Sequence, residues 1–250
     1  DVAELLDVSC RVLNQYAGRK TFVLEVMDLI CNLAKSLNAE TTIHVRDILN
    51  PMVAIIKRFK DNEEIIVKAL IVIEMLVPAD PTGKQLVEAR VLKVVIGVSD
   101  VYVKSAAVQA GVYRVVCALL RIPQFFAWMV QHMSRIMDCM RAFPQSKEVQ
   151  TVCVEVLTKL CDDKDVLETL DETVLRALDA LLMRFPNEQD LILATERCVL
   201  RLLSVPELCD AFITIEGAVH VLNVVKSFKD MELLQTALQI VDVLLRKDTS

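Results

Sequence analysis

The chain has little that bends it. Of 250 residues only five are Gly and seven Pro, and aromatic residues make up 5%. That shortage counts against a turn-rich sheet protein, and 54% hydrophobic residues point instead to helices packed on helices around a Leu/Val/Ile core. Long basic runs are missing too, and the net charge is −6 with an isoelectric point near 5.2, so nucleic acid is not expected as a partner. No apolar run reaches 18 residues. The richest, Ile65 to Val77, is interrupted by Lys68 and Glu74 and ended by Pro78, so no membrane insertion is expected. A signal peptide is not visible either. The first residue is Asp1 rather than Met, which reads as a piece of a longer protein or a processed chain.

Cysteine is present but unpatterned. The eight residues at 10, 31, 117, 139, 153, 161, 198 and 209 include no C-x-x-C pair and have no His at ligand spacing, which argues against zinc. Most fall on apolar helical stripes. The expectation is reduced core thiols in a cytoplasmic protein, with the nucleus as the other compartment.

What the chain has is a period. From Cys139 to Cys161 an apolar-striped segment ends, Phe143-Pro144 breaks it, and a second stripe follows with Val149, Val152, Cys153, Val156, Leu157 and Leu160 at helical spacing. Forty-two residues later the same order returns as Met183-Arg-Phe-Pro-Asn-Glu-Gln-Asp-Leu191, and 43 later as Ser227-Phe-Lys-Asp-Met-Glu-Leu-Leu234. A fixed period near 42 means stacked helical units, each contacting only its neighbours. Tyr16, Phe59, Phe143, Phe185 and Phe228 mark the units, and the missing marker is expected near Val101.

The expected units are 1–37 (partial), 38–78, 79–121, 122–161, 162–204 and 205–250, within a single domain 1–250. A short helix is expected around Ile43–Ile48, leading into Asn50–Phe59. Asp61-Asn62-Glu63-Glu64 should open a long helix, because acidic residues suit a first turn. The first long helix after Gly18 is expected from Lys20 to about Leu37, and the third helix of the 79–121 unit from Val101 to Leu120.

Three helices per unit, the first short and the third longest, resemble the armadillo repeat, with the two-helix HEAT repeat as the near rival. Ile215-Glu-Gly-Ala-Val-His-Val-Leu-Asn-Val-Val225 and Leu86-Val-Glu-Ala-Arg-Val-Leu92 look like that family's first-to-second helix junction, and Glu148 to Leu157 like the start of its third helix. The Phe-Pro units are also distantly similar to the armadillo region of leucine-rich repeat kinases. The resemblance implies an all-α, right-handed α-solenoid of about five full repeats plus a partial first one. It departs from the family at the junction glycine. Only Gly217 keeps it, with Ile48, Arg90, His132 and Val174 in or near that position elsewhere. The Trp/Asn ladder of nuclear-import receptors is absent except for Asn32, which disfavours that role.

Motifs that could carry chemistry read as structure. Pro81-Thr-Gly-Lys84 lacks the leading Gly and preceding strand of a phosphate loop, so it reads as a turn. His44, His132 and His220 lie in different units with no nucleophile nearby. Asp162-Asp163-Lys164-Asp165 lacks the spacing of a calcium loop and reads as a linker with a helix-capping Asp. Phe125, Phe126 and Trp128 read as packing between units, with an exposed anchor as the alternative. No cofactor, metal site or enzymatic activity is expected.

In the armadillo arrangement the non-core face of the third helices lines a concave groove. Positions 12 and 16 after each marker give Asp28/Asn32, Ile71/Met75, Tyr113/Cys117, Glu155/Lys159, Arg197/Arg201 and Ile240/Leu244. Lys159, Arg197 and Arg201 would make a basic patch. The expected function is a protein-interaction scaffold or regulatory module that binds an extended or helical partner segment with acidic and apolar residues. The alternative is self-assembly into a homo-oligomer.

Overall fold

The computed structural model describes residues 2–16, 18–36 and 45–248. These residues form α-helices joined by short turns, with no strand among them. In chain order they are α1 (Val2–Gln15), α2 (Lys20–Ala34), α3 (Val45–Arg58), α4 (Glu63–Leu76), α5 (Lys84–Glu88), α6 (Val91–Val101), α7 (Ala106–Leu119) and α8 (Pro123–Gln131). Then come α9 (Ser134–Ala142), α10 (Lys147–Leu160), α11 (Lys164–Leu167), α12 (Glu172–Arg184), α13 (Gln189–Leu202), α14 (Pro206–Thr214), α15 (Gly217–Val225) and α16 (Met231–Asp248). A 3-10 turn, Val77–Ala79, follows α4.

From α5 onward the helices fall into threes, with the third the longest of each. The long third helices α4, α7, α10 and α13 have 14 residues each. Contacts divide the chain into two units, residues 1–127 and 128–250. In the first, α1 packs on α2 and α3, α2 on α4, α3 on α4, and α4 on α7. In the second, α10 packs on α13 and α13 on α16, while α12 packs on α13 and α15. The apolar stripes lie between these layers. Val149, Cys153, Val156, Leu157 and Leu160 of α10, for example, have no exposed surface.

The starts of the third helices share a local device. The amide of the residue before the helix donates to the marker's carbonyl three residues back: Arg19 to Tyr16 (3.2 Å), Asn62 to Phe59 (2.8 Å), Ser146 to Phe143 (3.1 Å) and Glu188 to Phe185 (3.1 Å). Asn62, Ser105 and Ser146 also accept with their side chains from the amides of Ile65, Val108 and Val149, at 3.3, 3.2 and 3.4 Å. Such caps contribute about 1 kcal/mol each. In the 79–121 repeat the same turn is Ser105 to Tyr102, at 3.1 Å. The marker there is therefore Tyr102, not Val101, which still belongs to α6. Its third helix is Ala106–Leu119, no longer than the others, because Ser105 caps it four residues after Val101.

A buried Gln in the first turns of α7 and α10 closes the helix before it. Gln109 Nε2 donates to the Ser99 and Tyr102 carbonyls at 2.9 and 3.0 Å. Gln150 Nε2 donates to those of Met140 and Phe143 at 2.8 Å each. Carbonyls at a helix end otherwise lack partners.

Three other expectations are corrected. Residues 45–58 form one helix, because Ile48, Leu49, Met52, Ile55 and Ile56 keep one buried face through Pro51. Ile43 and His44 lie outside the described residues. The helix expected to reach Leu37 ends at Ala34, with Leu37 likewise outside. At the first-to-second helix junctions the left-handed residues are Arg90 (φ 53°) and Glu216 (φ 57°), not Gly217. Gly217 meets a different demand. A Cβ there would stand 2.3 Å from the Phe212 ring, which is fully buried. Pro81-Thr-Gly-Lys84 is a turn: Gly83 adopts φ 68° before α5, and Asp80 accepts from the Leu86 amide at 3.0 Å.

Among the described residues no single helix is long and apolar enough to cross a membrane. The pair α14 and α15 passes by length and composition but is bent by 70°.

Candidate functional site

The corrected marker moves the expected site residues. Counted from Tyr102, positions 12 and 16 are Arg114 and Ala118, both half-buried, whereas Tyr113 and Cys117 are 4% and 7% exposed and belong to the core. A similar slip occurs in α16. Asp230 accepts from the Glu232 and Leu233 amides at 3.0 Å each, so it caps the helix only two residues after Phe228. Ile240 and Leu244 are consequently packed inward, at 0% and 7% exposure, and the outward positions are Gln239 and Val243. The capping residues Ser105 and Asp230, rather than the aromatics, were the signal in the sequence that fixes this register.

With both slips corrected the rows are uniform. In the first unit they hold Asp28 and Asn32, exposed, with Ile71, Met75, Arg114 and Ala118 half-buried. In the second they hold Glu155 and Lys159, exposed, then Arg197/Arg201 and Gln239/Val243, each pair one exposed and one half-buried. Every such residue keeps accessible surface, while the neighbouring stripe on each helix does not.

The charges on these rows are largely matched within the protein. Lys68 of α4 pairs with Asp28 of α2, and Arg197 of α13 with Glu232 of α16. Arg201 Nε donates to Asp162 at 2.6 Å, and Lys147 at the start of α10 pairs with Glu188 at the start of α13. The basic patch expected from Lys159, Arg197 and Arg201 is thus corrected: Arg197 is matched by Glu232 of the next repeat, and Arg201 by Asp162, two residues past the end of α10.

Beneath the second unit's row lies an unmatched group. Glu196 has no exposed surface, and neither carboxylate oxygen has a hydrogen-bond partner. Burial pushes its pKa from 4.5 up to about 8. Counted from the residues that cap α7, α10 and α13, its counterparts are Tyr113 and Val154, both buried. Glu196 therefore occupies a core position.

A second surface feature was not expected from the sequence. Between α3 and α6 lies an open groove of about 510 Å³, floored by Val53, Ile56, Ile66, Val94 and Val98. Lys57, Lys60, Arg90 and Lys93 stand along it, and no acidic residue among those described lines it.

The remaining candidates are structural. His220 Nδ1 lies 2.8 Å from Asp179, bridging α15 and α12. The His132 ring stacks on Trp128 with centroids 4.0 Å apart, and Phe125 is buried. Asp163 caps α11 through the Asp165 and Val166 amides at 2.9 and 3.3 Å. None of the eight cysteines is in a disulfide, and seven are buried. Burial pushes Cys10 up to about 12, which leaves it an inert packing group. Among the described residues no cluster of His, Cys, Asp or Glu is arranged to hold a metal.

No protein-family model and no curated protein matches the sequence. Solved structures do match. A designed armadillo repeat protein is 14% identical, with a TM-score of 0.72 over 96% of this chain and 99% of that one. The fold is that of the armadillo repeat. A second designed armadillo repeat protein, in complex with a (KR)4 peptide, is 14% identical, with a TM-score of 0.68 over 96% of this chain and 99% of that one. A structure from work on the interaction between cadherin and β-catenin is 14% identical, with a TM-score of 0.71 over 94% of this chain and 44% of that one. In armadillo terms α2, α4, α7, α10, α13 and α16 are the third helices, and the exposed rows lie on them.

Proposed function

We propose that this chain is a non-enzymatic protein-binding scaffold that takes an extended or helical partner segment on its third-helix face. The observation that carries the reading is the pair of rows on the third helices. In each repeat two positions four residues apart keep accessible surface while the adjacent stripe is buried. A packed solenoid core needs the buried stripe only, so the accessible rows are available to a ligand. Solved relatives in fold include one bound to a peptide and one from the cadherin–β-catenin interaction, which supports the same use here. Ile71 and Met75 supply apolar contact, and Arg114 and Lys159 favour acidic side chains on the partner.

Peptides selected from a display library against the whole chain test this reading. Arg114→Glu and Met75→Glu should each weaken a selected peptide at least tenfold with unchanged circular dichroism. Binding that neither substitution alters would count against it.

A second reading, self-association, is favoured by the apolar surface of α15 and α16. Met231 and Leu238 are 77% and 62% exposed, and with Leu222, Val225 and Leu234 they line a groove of about 390 Å³. Light scattering of Leu238→Glu beside the unaltered chain decides it. A chain that is monomeric at high concentration before any substitution removes this reading.

A further inference from the structure

The groove between α3 and α6 lies on second helices, apart from the third-helix rows. Some second helices of adjacent repeats pack directly, α1 on α3 and α12 on α15, while α9 and α12 leave a smaller gap of about 270 Å³. Between α3 and α6 lies an open groove whose apolar floor is half-buried at Val53 and Val94 and buried at Ile56, Ile66 and Val98.

Three features show that this gap is maintained against the usual preferences. Gly97 lines the groove in the middle of α6, and a Cβ there would meet nothing within 4 Å. A mid-helix Gly is less stable than Ala by about 1 kcal/mol, so nothing in the surrounding packing calls for it. Tyr102, also in the lining, has its hydroxyl buried without a hydrogen-bond partner. Lastly, Lys57, Lys60, Arg90 and Lys93 collect around one apolar strip in a chain of net charge −6. None of the four forms an ion pair among the described residues, whereas Lys68, Lys147, Arg197 and Arg201 on third helices do.

We infer that the α3–α6 groove is a docking site for an acidic amphipathic helix of a partner protein. The apolar stripe of that helix would lie on the Val/Ile floor, with carboxylates on both flanks meeting Lys57 and Lys60 on one wall and Arg90 and Lys93 on the other. Helical walls and an open, elongated apolar floor suit helix-in-groove recognition, in which the occupant supplies the helix–helix contact that α3 and α6 do not make with each other. The four cations select the sign of the occupant and speed its encounter.

The test uses the whole chain and a fluorescein-labelled synthetic helical peptide with a Leu stripe flanked by Glu on both sides. The same stripe flanked by Lys serves as comparison, and fluorescence anisotropy is the readout. The Glu-flanked peptide should bind at least tenfold more tightly than the Lys-flanked one, and its affinity should fall as salt is raised. Lys57→Glu combined with Lys93→Glu should weaken it at least tenfold. Gly97→Phe, which fills the floor without changing charge, should do the same, while Arg114→Glu on the third-helix face should leave it unchanged. If Gly97→Phe does not fold, the lysine pair decides. Equal binding of the two peptides, or binding indifferent to both sets of substitutions, overturns the inference. So does binding of dodecanoate without binding of the peptide, or self-association that Gly97→Phe abolishes.

Discussion

The third-helix rows and the α3–α6 groove handle charge in opposite ways. On the third helices Lys68, Lys147 and Arg197 each meet a carboxylate of the neighbouring repeat, and Arg201 meets Asp162 just past the end of α10. Around the groove, Lys57, Lys60, Arg90 and Lys93 gather with no acidic residue among those described lining it. A cation matched across a repeat boundary reports on stacking, because its partner lies in the same chain. A cation left unmatched beside apolar surface makes no ion pair across a repeat boundary, and the proposed acidic helix gives it a partner. Glu196 is a third case: a charge-bearing group buried with no partner at all.

Glu196 gives the largest expected effect on stability. Its carboxyl titrates near 4.5 when unfolded and at about 8 when folded, so between those values the folded chain holds a proton that the unfolded chain has released. The favourable contribution is complete below pH 4.5 and is lost as pH rises through about 8. Glu196→Leu should flatten that slope and raise stability at pH 8 by about 2 kcal/mol, measured by denaturant unfolding at pH 5 and 8. A slope unchanged by the substitution would break the distinction between this group and the paired charges.

Gly97→Ala should stabilise the chain by about 1 kcal/mol, because α6 gains helix propensity and nothing obstructs the methyl. A loss of stability would mean that the groove closes in solution. The smallest effects sharpen the comparison directly. A double-mutant cycle on Arg201 and Asp162 should give a coupling of about 0.5 kcal/mol, as expected for a partly exposed pair. Lys57→Ala and Lys93→Ala should leave the melting temperature unchanged. A clear destabilisation by either lysine substitution would assign the groove cations to the fold.

The architecture was legible in the sequence, because a period near 42 with apolar stripes leaves few alternatives to stacked helical units. The rows were legible where the aromatic marker stands three residues before the cap, as at Phe59, Phe143 and Phe185. They were misplaced by one residue where the marker is Tyr102 rather than Val101, and where Asp230 follows Phe228 after only two. On a helix one residue is a rotation of about 100°, enough to exchange Arg114 for the buried Tyr113. The ion pairs were not legible, since Arg201 and Asp162 are 39 residues apart and meet only through stacking. Nor was the groove: its cations are ordinary surface lysines and arginines until α3 and α6 are seen to stand apart.

Site-specific photocrosslinking tests the scaffold reading most directly. A photoreactive residue is placed in turn at Met75, Arg114 and Glu155 on the third helices, and at the exposed second-helix positions Asp138 and Arg176, in the presence of a display-selected peptide. The account predicts crosslinks from third-helix positions and none from the two controls. Crosslinks confined to Asp138 or Arg176 would contradict it.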